Sequence, residues 1–181
     1  MRKLYCILLA LLLCPQLIQA QITFEPEEGC LNIIEFSAGP RIGSGGSGIY
    51  SAHYMHERFF TEQLSAGGGI AFGYYNQYAF SSVPVYLSAH YFFLDSPFSP
   101  FVNLRVGGFF PLSRNQGGFS LYLAPIAGLK MHLTPHFGVL ASVGDNAQLI
   151  RVFDAGQSSY QRRLIHNLII SVGVCFQIPG W

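Results

Sequence analysis

Apolar and polar residues alternate along most of this chain. From Asn167 to Ile178 the even positions carry Leu168, Ile170, Val172, Val174, Phe176 and Ile178. The odd positions carry Asn167, Ile169, Ser171, Gly173, Cys175 and Gln177, mostly small or polar. Successive side chains of a strand point to opposite faces, so the stretch predicts a strand with one wholly apolar face and one mixed face. The same two-residue period predicts strands over 31–40, 49–59, 64–75, 83–94, 101–110 and 119–133, and another beginning at Phe137. In 101–110, Val102, Leu104, Val106, Gly108 and Phe110 stand against Asn103, Arg105 and Gly107. In 119–133, Leu121, Leu123, Ala127, Leu129, Met131 and Leu133 stand against Ser120, Tyr122, Lys130 and His132. The face of 64–75 with Gly67, Gly69 and Gly73 is small enough for a narrow barrel to close tightly.

The connections alternate too. Those at 41–48, 76–82, 111–118 and 145–163 are longer, those at 60–63, 95–100 and 134–136 shorter. The alternation still visible from Asn146 to Phe153 suggests that strands seven and eight extend as a hairpin. Eight strands joined by short turns on one side and longer loops on the other predict an all-β, antiparallel, up-and-down transmembrane barrel over 31–178.

Composition supports a membrane setting. Hydrophobic residues make up 50% of the chain and charged residues only 10%, where soluble domains carry roughly 25%. Met1 to Ala20 reads as a secretory signal: Arg2 and Lys3, an apolar run from Leu4 to Leu13, then Ile18-Gln19-Ala20 as the cleavage site. A lipoprotein reading would use Cys14, but Leu13 stands where a small residue is wanted. After the signal no apolar run reaches the ~20 residues of a membrane helix. A closed barrel is the other structure that satisfies its backbone inside lipid. Residues 21–30 form an acidic periplasmic leader (Glu25, Glu27, Glu28). The near-neutral balance implies no nucleic-acid partner.

Charge placement sharpens the picture. With each strand's more apolar face given to lipid, Glu35, Glu57, Arg105, Lys130, His53, His90 and His132 all face inward. A lipid-facing Arg or Lys at mid-membrane would cost roughly 2–4 kcal/mol. Inside, the cations can pair with the two glutamates as an ion network filling the barrel. His56 and Arg58 take outward parity near an inner turn, where snorkelling to the interface is available. Pro125 also takes outward parity and suggests a bulge. His53 and His56 point to opposite faces, a poor metal pair. The sequence implies no cofactor or metal.

Cys30 and Cys175 remain after the signal is removed, near the ends of the first and last strands, which adjoin in a closed barrel. A disulfide across that seam and two free thiols are both open readings. Arg151, Arg162 and Arg163 in the outer segment are candidates for lipopolysaccharide phosphates, or for solvent.

The run SVPVYLSAHYFFLDSPFSPFVNLRVGGFFPL (Ser81 to Leu112) and the terminal SVGVCFQI resemble the small OmpA/OmpX-type outer-membrane β-barrel proteins, particularly porin-family barrels of Bacteroides-like bacteria. Ser171, Gly173, Phe176 and Ile178 match the terminal assembly signal of such barrels, although that family often ends on an aromatic residue. The resemblance implies a monomer in the outer membrane of a Gram-negative bacterium, inserted by the barrel-assembly machinery and contacting lipid and lipopolysaccharide. It implies functions in envelope integrity, adhesion or narrow-pore transport. Because eight strands leave an interior just filled by side chains, the reading is a non-enzymatic structural or surface-interaction barrel whose outer loops meet an unknown extracellular ligand. The alternatives are a narrow OmpW-like channel for small hydrophobic solutes and a lipid A-modifying enzyme. Such an enzyme needs Ser, His and a carboxylate; Ser88 and His90 both face inward, with no carboxylate evidently beside them.

Overall fold

The computed structural model describes residues 29–40, 48–76, 80–112, 120–154 and 159–179; the expected signal segment and most of the expected leader lie outside them. Eight strands follow one another: β1 (Gly29–Gly39), β2 (Ile49–Phe59), β3 (Leu64–Tyr75), β4 (Phe80–Phe92), β5 (Phe98–Pro111), β6 (Ser120–Thr134), β7 (Phe137–Asp154) and β8 (Ser159–Pro179). Each pairs antiparallel with the next, and β8 pairs back onto β1, so the sheet closes into an up-and-down barrel. Closure leaves no sheet edge along the barrel wall. No helix among the described residues is long and apolar enough to cross a membrane.

Several strands reach further than alternation alone indicates. β1 begins at Gly29, paired with Pro179; β4 begins at Phe80, paired with Tyr75; and β5 begins at Phe98, paired with Met131. Most of 145–163, expected as a connection, is ladder. The β7–β8 pairs run from Asp145↔Leu168 to Asp154↔Ser159. The β6 ladder onto β7 stops at Leu121↔Leu149 and the β1 ladder onto β8 at Ala38↔Ile170, so β7 and β8 continue as a two-stranded ribbon.

Two prolines interrupt ladders without shifting their register. β3–β4 pairing pauses between Ile70↔Val85 and Gly73↔Ser82, where Pro84 sits. β6–β7 pairing pauses between Leu123↔Ala147 and Ile126↔Gly144, where Pro125 sits. Register is the same on both sides of each gap, and each proline keeps its partner on the other side, Phe109 and Leu104 respectively. Pro125 therefore removes a donor but makes no bulge; the register shift in β6–β7 lies at His132/Thr134 instead.

The polarity of this fold is inverted. Large apolar side chains cover the outer face, among them Leu87 at 73% exposure, Phe36 at 61% and Ile170 at 60%. The inner face buries Glu35, Glu57, His90 and Arg105 at 2% or less. Small residues on β3 make this packing possible. A Cβ on Gly69 would lie 2.5 Å from the Tyr86 ring and 2.9 Å from Met55, so only glycine leaves room for the Tyr86 ring, which reaches His53 and stacks on Tyr122 at 5.3 Å.

Candidate functional site

The polar interior is the densest cluster of chemistry in the described chain. Arg105 projects from β5 across the barrel, and its Nη2 donates to the Glu35 carboxylate of β1 at 2.9 Å. Its Nε donates to Asn103 Oδ1 at 2.7 Å, and its guanidinium lies 5.7 Å from the Tyr86 ring centre. Arg105 Nη1 stands 3.4 Å from His53 Nδ1. An arginine N–H can only donate, so Nδ1 accepts and the ring proton sits on Nε2, 2.9 Å from Ser51 Oγ. Tyr86 O–H completes the surroundings of His53 Nδ1 at 2.9 Å.

A second pair lies nearer the short turns. His90 Nδ1 is 2.9 Å from Glu57, which also accepts from the Ser65 hydroxyl at 2.6 Å. His90 stacks on Phe92 with ring centres 5.7 Å apart. Asn103 bridges the two pairs. Its Oδ1 accepts from Arg105, while its Nδ2 donates to Ser88 Oγ at 2.8 Å and stands 3.2 Å from His90 Nδ1. Alternation had placed Asn103 on the inner face but gave no reason to single it out; inward parity two residues from Arg105 was the available signal.

Lys130 departs from the expected pairing with a glutamate. It is 5% exposed, its Nζ sits 3.8 Å from the centre of the Phe92 ring, and among the described residues no carboxylate is in ion-pair distance. The aromatic face supplies the partial negative charge. His132 is buried on the same face of β6. A third polar group, on β3 and β7, has Gln148 Nε2 donating to Tyr75 Oη and to Asn146 Oδ1 at 3.0 Å.

The expectation that Ser88 and His90 have no carboxylate nearby is corrected, because Glu57 holds His90. The set is nevertheless sealed, Ser88 at 3%, His90 at 1% and Glu57 at 0% exposure, and the Ser88 hydroxyl is held between Asn103 and Glu57. His53 is buried and His56 exposed, on opposite faces of β2.

The disulfide reading is also corrected. Cys30 and Cys175 are both free. Across the β1–β8 seam Cys30 pairs with Ile178 and Cys175 with Ile33, so the two are offset by three residues and take opposite faces. Ser171 faces inward and shares a 2.8 Å hydrogen bond with Ser37; Gly173 lies opposite Glu35; Phe176 and Ile178 face outward. Register sets Arg151 opposite Arg162 and Arg163 opposite Ile150, while the side chains of all three arginines lie outside the described residues.

These features define a class, the small closed antiparallel barrel with an apolar exterior and a polar, packed interior. Solved structures of the same fold agree. Neisserial surface protein A superposes with a TM-score of 0.59 at 17% identity, covering 85% of this chain and all of its own. The N-terminal β-barrel domain of Pseudomonas aeruginosa OprF gives 0.52 at 18% identity, covering 84% and 99%. The outer membrane protein AlkL gives 0.55 at 12% identity, covering 89% and 95%. At these identities the likeness is one of fold. No protein-family model and no curated protein sequence matches the chain.

Proposed function

We propose that the chain is an integral outer-membrane β-barrel of a Gram-negative, Bacteroides-like bacterium, exported by a signal cleaved after Ala20 and inserted as a monomer by the barrel-assembly machinery. The observation that carries this reading is the inverted polarity: thirty-odd ångströms of hydrocarbon is the medium in which Leu87, Phe36 and Ile170 belong outside and Arg105 and Glu35 inside. The same fold in outer-membrane proteins supports it.

The role within that setting is structural or surface-interacting. Arg105, Tyr122, Phe101 and Phe109, all nearly inaccessible, occupy the lumen, which argues for a filled barrel and against a diffusion pore. The buried charges act as the internal scaffold of that filling. Contacts with an extracellular ligand then fall to the long connections and to the β7–β8 ribbon. There Arg151, Arg162 and Arg163 are the candidates for contact with an anion such as a lipopolysaccharide phosphate. Ser171, Gly173, Phe176 and Ile178 serve as the assembly signal.

The test is mobility of outer-membrane fractions on gels with and without heating. A band that migrates faster unheated than boiled reports a closed barrel, and a protein recovered from the periplasm without detergent sinks the reading. Single-channel recording on the purified protein separates the roles, with no large, stable conductance expected from a filled barrel.

A further inference from the structure

Among the strand side chains that the structure describes, outward-facing charge is scarce and falls in two places. Near the long connections, Asp145 and His166 satisfy one another at 2.7 Å. At the other end of the barrel, His56 and Arg58 are exposed on β2, and among the described residues neither has a carboxylate in ion-pair distance. Glu62, in the adjoining turn, pairs with neither.

These two basic side chains belong to a built patch. Register sets Asn32 opposite His56 and Cys30 opposite Arg58 on one side, and Gly68 and Ala66 on the other. Asn32 Oδ1 accepts from Tyr54 O–H at 3.0 Å and from His56 Nδ1 at 2.8 Å. A carbonyl oxygen accepts only, so His56 carries a proton on Nδ1 and holds the Asn32 amide fixed with its two N–H donors uncommitted. A Cβ on Gly68 would meet nothing nearer than the Tyr86 carbonyl oxygen at 3.8 Å, so the surface beside His56 is open. Positions two apart on a strand are about 7 Å from one another, within reach of a single phosphodiester.

We propose that Arg58, His56 and Asn32 form a seat for the phosphate of an anionic phospholipid in the leaflet at the short-turn end. The inference rests on the membrane-barrel reading above. Depth selects a lipid headgroup: Arg58 is one residue from the end of β2, and apolar Phe60 and Leu64 stand exposed beyond it. Charge selects an anionic one. The patch offers donors and a guanidinium suited to bidentate phosphate binding, and among the described outward-facing residues of its strands there is no carboxylate to receive the ammonium of a zwitterionic headgroup.

Native mass spectrometry of the detergent-purified full barrel, mixed with equal phosphatidylglycerol and phosphatidylcholine, tests this. The wild type should retain phosphatidylglycerol preferentially. An arginine near an anionic surface is worth about fivefold, so Arg58→Gln/His56→Gln, which also frees the Asn32 amide, should lower the retained ratio at least fivefold. Asp145→Asn/His166→Gln, at the other end, should leave it unchanged. An unchanged ratio in the Arg58→Gln/His56→Gln variant, with the heat-dependent gel shift intact, overturns the lipid seat alone. Absence of the gel shift in the wild type overturns the seat together with the membrane reading.

Discussion

Arg105 Nη2 lies 2.9 Å from the Glu35 carboxylate although the residues stand on β5 and β1, strands on opposite sides of the barrel. Both side chains are sealed from solvent. Removing one partner of such a pair strands the other charge, which costs about 3–5 kcal/mol. Glu35→Gln and Arg105→Met should each lower the unfolding free energy, read from urea titrations in lipid vesicles, by that amount. Glu35→Leu/Arg105→Met should recover most of the loss, since it leaves neither charge behind. If the double variant is as unstable as the sum of the singles, the two side chains are not coupled.

Lys130 depends on the ring of Phe92 rather than on a carboxylate. A desolvated cation–π contact is worth about 2 kcal/mol. Because Phe92 also stacks on His90, a single substitution mixes two losses. The cycle through Phe92→Leu, Lys130→Met and both together isolates the contact. The expected coupling is about 2 kcal/mol, read from the same urea titrations; a value near zero would place the stabilisation of Lys130 elsewhere.

Neighbouring glycines on β3 should respond in opposite ways. A Cβ on Gly69 enters the Tyr86 ring at 2.5 Å, whereas one on Gly68 has open space. Overpacking a filled interior costs about 1–3 kcal/mol, so Gly69→Ala should lower the temperature at which the folded band is lost, and Tyr86→Leu in that background should restore part of it. Gly68→Ala should be silent. Equal effects at the two positions would mean that the interior is not tightly packed at Tyr86.

What could be read from the residues alone was sidedness. A one-residue slip exchanges every inner and outer side chain, so alternation assigns Arg105 and Leu104 to opposite faces without knowledge of any partner. Strand ends were less legible. Phe80 joins a ladder because Tyr75 of β3 offers it pairing groups, and Phe98 because Met131 of β6 does, information held by the neighbouring strand. Partners were least legible. Which acid meets Arg105 depends on the stagger of the closed sheet, which brings Glu35 near and leaves Lys130 over an aromatic ring. Asn103, the bridge between the ion pairs, had no distinguishing residue pattern.

The two cysteines provide the last test, because sequence position and register disagree about them. Adjacent strands suggested a bond, yet Cys30 pairs with Ile178 and Cys175 with Ile33. A three-residue offset along the strand is about 10 Å, beyond the roughly 7 Å limit for bridging Cα atoms, and the side chains take opposite faces. Two free thiols should be counted in denaturant. In the folded barrel, half-exposed Cys30 should react with a lipid-soluble maleimide while Cys175, 2% exposed, reacts only on unfolding. Oxidation with copper phenanthroline should then yield no intramolecular bridge, and a faster-migrating, reductant-sensitive band lost in Cys30→Ser would show that the β1–β8 register differs from the one described.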